Sequence, residues 1–469
     1  MKKSSENTGG KLTFGLKAGY AIGLMPESML YNMFYTFFVI FLTNVAMISP
    51  IVAGTIALIA LVWDCVIYPF VGYRSDISKD KRKYMINFIP MALTFMALFL
   101  NVGFSDTGKF FFYLIISMIF WLFYTLYAIP YYALVPEISD NYDERTQIRG
   151  ISAWLNAFAI LIGAGSPMLL VGLFTDSGAD TATGWFYTAA AIGAVSLVFG
   201  LIATLSAKRI KLIKPVNTEA VQKFNIAKAY GQIIKLKPVK YIIVFALLFT
   251  VVTSLLSANL SYLVLYRIGA GAENVSLAML VIILTMLVFV PIMVAFAKKT
   301  DRRIALIVAF AVTVCGCVTL KITGITSMPF LFALCVFTGI SLSTFWAMIY
   351  PIAYDLVEVD EYVNGTRREG AIMAFVGLIN KLGSAIGLWI IGAILTFVGY
   401  NAQLATQASS TALGIEDIST LVPAGLLFIC LLAVIFYPLS KKAFNALQAE
   451  LEKKRKGEAT STEHIKRIV

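Results

Sequence analysis

"LVWDCVIYPFVGYRSDISKDKRK", residues 61–83, sets Asp64 inside a run that is otherwise apolar from Pro50 to Phe70, then breaks into a loop holding Lys79, Lys81, Arg82 and Lys83. About 20 apolar residues span a bilayer, and a basic flank marks the side on which such a span ends. A carboxylate near the centre of that span costs about 2.5–3.5 kcal/mol on insertion scales. Either a partner offsets this cost or the protein uses the charge.

The rest of the chain has the same character. Of its 469 residues 59% are hydrophobic and only 14% charged, with a mean hydropathy of +0.82. A soluble domain carries about 25% charged residues, so most of this chain belongs in lipid. The net charge of +12 does not point to nucleic acid, because the basic residues sit in short stretches between apolar runs and at both ends. All five cysteines lie in apolar segments and the one histidine, His464, is in the tail, which argues against a disulfide framework or a zinc site. The first 12 residues are polar and the apolar run after them is too long for a signal-peptide core, so no cleavable signal is expected.

Twelve apolar runs are long enough to span a membrane: 17–46, 50–74, 84–105, 109–136, 148–174, 184–206, 239–265, 273–297, 303–323, 328–354, 369–398 and 419–440. They are too long, and lack the period-2 alternation, for barrel strands. Nearly every Lys and Arg falls in the loops after spans 2, 4, 6, 8 and 10 or in the tails, which predicts both termini on the cytoplasmic side of the plasma membrane. The polar stretch 207–238 divides an N-terminal six-helix bundle (1–206) from a C-terminal one (239–445), with a charged tail from 446 to 469.

The two halves echo each other. "IPYYALVPEISDNYDERTQIRG" (129–150) and "YPIAYDLVEVDEYVNGTRREG" (350–370) both place a glutamate seven residues after a proline, Pro130 to Glu137 and Pro351 to Glu358, and then an arginine and a glycine. A second echo pairs "PFVGYRSDISKDKRK" (69–83) with "PIMVAFAKKTDRR" (291–303). Parallel repeats of this kind mark major-facilitator-type transporters.

Three segments carry a narrower resemblance: "VWDCVIYPFVGYRSDISKDKRK", "IPYYALVPEISDNYDERTQ" and "YDLVEVDEYVNGTRREGAIMAFVGLINKLGSAIG". In order and spacing they resemble the glycoside–pentoside–hexuronide:cation symporter family, the group that includes the melibiose permease. The resemblance implies an all-α major facilitator fold of twelve helices, with a central cavity open alternately to each side. It assigns Asp64 to the cation-binding position of the second helix, Thr125 to a polar position near that cation, and Lys381 to the eleventh-helix lysine beside it. The chain departs from the family pattern at Tyr68, where a second aspartate is usual. It departs again at Ala128 and Ser28, which stand at the sugar-binding aspartates, and at Tyr132, which replaces a tryptophan; Glu27 adjoins Ser28.

Asp64 and Lys381 are the two clearest ionisable residues deep in the expected spans. Buried charges need each other and further hydrogen bonds. A cation on Asp64 would release Lys381, and loss of the cation would restore the pair, so occupancy would shift the balance between access states. With Tyr68 in place of the second acid, one carboxylate remains. That suffices for a proton, whereas Na⁺ takes several oxygen ligands; H⁺ is the favoured coupling ion, with Na⁺ or uncoupled transport as alternatives. Glu27, next to Pro26 in the first span, is a candidate for either cation or substrate.

The substrate residues expected around the cavity are Glu27, Tyr31, Tyr35, Tyr131, Tyr132, Trp154, Trp346, Asn380 and Lys381, since sugars stack on aromatic rings and bind through amides and charged groups. The loop charges Asp76, Arg82, Glu137, Glu144, Arg145, Glu358, Arg367 and Arg368 read as a cytoplasmic gate of ion pairs. These readings make the chain a secondary transporter and not an enzyme or a pump: no His lies in a span, no acid pair shares a helix and no "GxxxxGK[ST]" loop is present. The expected partner is a sugar or glycoside carried by a monomer in the lipid bilayer. A hexuronate, sulfonated sugar or amphiphile is the alternative cargo, and no cofactor, metal or nucleic acid is expected.

Overall fold

The computed structural model describes residues 13–76, 78, 80–138, 142–210, 226–365, 368–404 and 406–456. Every regular element among them is a helix. In chain order they are α1 (Phe14–Ala21), α2 (Leu24–Asn44), α3 (Pro50–Asp76), a 3₁₀ turn (Lys81–Asn87) running into α4 (Phe88–Leu98), α5 (Asp106–Ile138), α6 (Tyr142–Ile160), α7 (Pro167–Asp176) and α8 (Thr181–Arg209). The second part of the chain forms α9 (Ile226–Ile234), α10 (Val239–Tyr262), α11 (Glu273–Lys299), α12 (Arg302–Thr323), α13 (Met328–Asn364), α14 (Glu369–Phe397), α15 (Ser409–Ser419), α16 (Leu421–Ile435) and α17 (Lys441–Lys456).

Among the described residues nine helices are long and apolar enough to cross a membrane. The pair 154–165 and 167–176, bent by 45°, makes a tenth when its two parts are taken as one span. The bend has a covalent cause. A π-helical turn at Leu161–Gly165 ends at Ser166, and Pro167, which has no N–H, starts α7. The other two expected spans are helical but interrupted. The first breaks between Ala21 and Leu24, and α2 carries Glu27, Ser28 and Asn32 on its opening turns. The third is divided into the 3₁₀ turn and an α4 of 11 residues.

The chain forms two compact units. One comprises residues 1–34 and 66–222, the other 35–65 and 223–469. The boundary cuts through α2 and α3, so the end of α2 and the start of α3 pack with the second unit. Hydrogen bonds explain this. The Thr43 and Tyr262 hydroxyls meet at 2.6 Å, the Asn44 amide donates to Tyr266 Oη at 2.6 Å, and Tyr400 Oη donates to Asn44 Oδ1 at 2.7 Å. Ile51 N–H donates to Thr396 Oγ1 at 3.0 Å.

Glycines on α14 let backbones touch. A Cβ on Gly383 would collide with Leu247 O, one on Gly387 would lie 2.6 Å from Val251 O, and one on Gly392 would collide with Pro50 O. Small residues at such crossings are how membrane helices approach closely when no hydrophobic force drives them together. Gly392→Ala is therefore expected to cost about 1–3 kcal/mol by overpacking. Gly425→Ala, where a Cβ meets open space, should be neutral or slightly stabilising. Thermal unfolding in detergent checks the contrast; equal melting temperatures would contradict the close α3–α14 contact.

Candidate functional site

In the second unit, α3 and α14 bring Asp64 and Lys381 together across 317 positions of sequence, with Lys381 Nζ donating to Asp64 Oδ2 at 2.5 Å. Asp64 is fully buried, while the Lys381 side chain keeps 20% of its surface exposed. The Gly383 and Gly387 contacts fix the register of α14 against α10 just beyond the lysine. Asn380 is buried on the same helix, with its Oδ1 free of any hydrogen-bond partner. The arrangement holds a carboxylate inside an apolar helix beside a partly accessible counter-charge.

The first unit holds a second buried acid. Glu27 on α2 accepts hydrogen bonds from two phenols of α5, Tyr124 Oη to Oε1 at 2.6 Å and Tyr132 Oη to Oε2 at 2.7 Å. The two tyrosines are eight residues apart, just over two helical turns, and so share a face. Tyr31 lies edge-on to Trp121 and tilted against Tyr124, adding ring surface beside the carboxylate. The two phenols thus hold both carboxylate oxygens from one face of α5. Thr125, next to Tyr124, is fully buried.

The remaining expected substrate residues separate by role. The Tyr131 hydroxyl donates to Tyr20 O and Ala21 O, and the Tyr20 hydroxyl donates back to Tyr131 O, a zipper that closes α5 on α1. Tyr35 is buried in the second unit. Trp154 is 73% exposed and lies against Phe158, whereas Trp346 is partly exposed and stacks on Tyr350.

Of the expected gate charges, Arg367 lies outside the described residues, as do the side chains of Asp76, Glu137, Glu144 and Arg145. Arg82 reaches Asp80 through Nε and Nη2 at 2.8 and 2.9 Å, and this fork holds the Asp80 carboxyl below the usual carboxylate range. Arg368 binds buried Asp360 through Nε at 2.8 Å and Nη2 at 2.5 Å and donates to Gln232. Glu358 accepts from Gln448 at 3.3 Å. Elsewhere in the second unit stands a cluster that the sequence did not announce. Buried Glu416 takes Arg267 Nε at 2.5 Å and the Ile325 N–H at 3.3 Å, with Lys321 bridging Glu416 and Asp417. Two acids and two basic residues on three separate helical segments carry no mark of this meeting; only the scarcity of other cations at that end of the spans set Arg267 and Lys321 apart.

Apolar helices of this length and number define a multi-pass membrane protein. The profile described as MFS/sugar transport protein matches residues 19–441, and the chain belongs to that family, the melibiose-permease-like branch of the major facilitator superfamily. The symporter sll1374 of Synechocystis is 24% identical over 94% of this chain and 97% of its own length. The glucuronide carrier protein homolog of Escherichia coli is also 24% identical, covering 95% and 97%. The sodium-dependent lysophosphatidylcholine symporter 1-B of Danio rerio is 23% identical over 98% and 94%. Among solved structures a mutant form of the nucleoside transporter NupG superposes with a TM-score of 0.68 at 13% identity, over 90% of this chain and all of that one, which supports the fold.

Proposed function

We propose that the chain is a proton-coupled symporter of a sugar or glycoside, with Asp64 as the proton site and Lys381 as its internal replacement cation. The observation that carries this reading is the buried 2.5 Å pair between them. A buried ion pair is weak as a source of stability, so its presence in an apolar span favours a working role. Protonation of Asp64 breaks the pair, and re-formation of the pair expels the proton. The two states of the pair bias the two access states of the carrier, and substrate adds its binding energy to the protonated one. A single carboxylate beside Tyr68 suits a proton better than Na⁺. Glu27, clasped by Tyr124 and Tyr132, is the cargo's anchor: its carboxylate accepts from sugar hydroxyls while Tyr31, backed by the buried Trp121, offers a ring.

One observation favours a second cargo. Lys381 retains accessible surface beside Asn380 on α14, and a relative of this chain is named for glucuronide, so a sugar acid is the next substrate class to test. The Lys and Arg pattern supports a cytoplasmic location for both termini. Single-cysteine probes between 207 and 238 should then react only from the cytoplasmic side, and labelling from outside would overturn the orientation. For coupling, reconstituted protein is expected to concentrate a neutral glycoside or hexuronate when a pH gradient is imposed. Accumulation driven by Na⁺ alone would replace the proton with Na⁺.

A further inference from the structure

The second unit contains a cavity of about 440 Å³ between the α11–α12 turn, the middle of α13 and the start of α17. This is within the size range of small-molecule sites. Its floor is apolar, with Met348 and Ile352, and its rim carries Lys298, Arg302, Arg303 and Lys441.

The acids lining this cavity are already committed. Asp301 accepts from the backbone N–H of Arg303 at 2.9 Å and of Lys441 at 2.7 Å, so one carboxylate caps both α12 and α17. Asp355 is paired with Arg302, Nη1 to Oδ2 at 2.6 Å. Lys298, Arg303 and Lys441 have no carboxylate partner among the described residues. The Lys441 ammonium donates only to the carbonyl of Lys298 at 3.2 Å, and Arg303 only to that of Ile435. Tyr437 supplies a second, independent sign. It is 2% exposed, lines the cavity, and its hydroxyl has no hydrogen-bond partner. A buried hydroxyl left unsatisfied costs free energy comparable to a lost hydrogen bond.

Three cations without a carboxylate among the described residues and one orphaned donor converge on a concave space open at its rim. We infer that this cavity is a binding site for a phosphate-bearing anion, with Tyr437 Oη and the Lys298, Arg303 and Lys441 side chains as its donors. The anion is either the headgroup of an anionic phospholipid or a soluble phosphate compound; the two share the chemistry that these donors recognise. Its occupancy would tie the tail helix α17 to α12 and to α13 beside Pro351, whose carbonyl accepts from Arg302 at 3.1 Å. Neither Asp64 nor Glu27 lines the cavity, so the site stands independently of the proposed transport chemistry.

The test measures thermal unfolding of the full-length protein in two arms. In detergent, inorganic phosphate is titrated against chloride at constant ionic strength. In nanodiscs, phosphatidylglycerol is compared with phosphatidylcholine. A saturable rise in melting temperature with phosphate assigns a soluble ligand, and a rise only with phosphatidylglycerol assigns a lipid headgroup; either supports the site. Tyr437→Phe should weaken the response at least about tenfold without harming the fold, because the lost hydroxyl serves no protein partner. The pair Lys298→Gln with Lys441→Gln should abolish it, and Lys208→Gln with Lys456→Gln, cations elsewhere, should not change it. No response in either arm, or an unchanged response in Tyr437→Phe, overturns the inference even if the double variant fails to fold.

Discussion

Asp64→Asn is expected to abolish uphill accumulation while leaving substrate exchange measurable. Asn is nearly isosteric with a protonated carboxyl, so the variant holds the site in its cation-loaded form and has no proton to release. The change also removes the carboxylate that Lys381 meets at 2.5 Å in a site where Asp64 is fully buried. Breaking one side of a buried pair costs about 3–5 kcal/mol, enough to lower expression by itself. Asp64→Asn combined with Lys381→Gln separates the two effects. It removes the charge stranded by the single change but does not restore a coupling acid. Expression and exchange should recover in the double variant, and accumulation should not. A double variant that still concentrates substrate would make the pair a packing feature and move the coupling acid to Glu27.

Glu27→Gln should raise the substrate KM at least about tenfold, with the proton-to-substrate ratio of the remaining transport unchanged. A glutamine offers one acceptor oxygen and one donor group where two phenols, Tyr124 and Tyr132, both donate, so one phenol must turn its O–H aside and accept from the amide, and both bonds lose their charge assistance. A hydrogen bond to a charged group contributes about 1.5–3 kcal/mol, and its loss at a cargo anchor falls on binding. Tyr132→Phe, which deletes one donor and keeps the carboxylate, should give a smaller change in the same direction. If Glu27→Gln instead destroys accumulation at an unchanged KM, Glu27 carries the proton and Asp64 does not.

The parts of this account that were legible in the sequence share a physical reason. Charges inside apolar runs are costly, so Asp64, Lys381 and Glu27 stood out individually. The long apolar runs and the basic loops between them pointed to a multi-pass membrane protein. What did not show was partnership. Tyr124 and Tyr132 are two of 22 tyrosines, and composition cannot separate a carboxylate clasp from an interfacial ring. Tyr131 looks equivalent in sequence, yet its hydroxyl closes α5 on α1. The grouping of residues 35–65 with the second unit depends on glycine register at Gly54 and Gly392, which appears only once backbones are in contact. The stretch from 446 reads as a charged tail, but Leu447 and Leu451 are buried, and Arg455 grips Glu361 through two hydrogen bonds of 2.8 and 2.7 Å. Two leucines four residues apart in a mostly polar helix are a faint amphipathic signal, and the acids that seat the helix lie about 90 residues away.

The central claim is that a proton on Asp64 travels with the cargo. Proton movement induced by substrate, followed with a pH-sensitive dye inside proteoliposomes free of Na⁺, addresses it without reference to stability. The wild-type protein should acidify the lumen as substrate enters, and the Asp64→Asn, Lys381→Gln variant should exchange substrate with no proton signal. Proton movement that persists in that variant, or substrate entry in the wild type with none, would contradict the account.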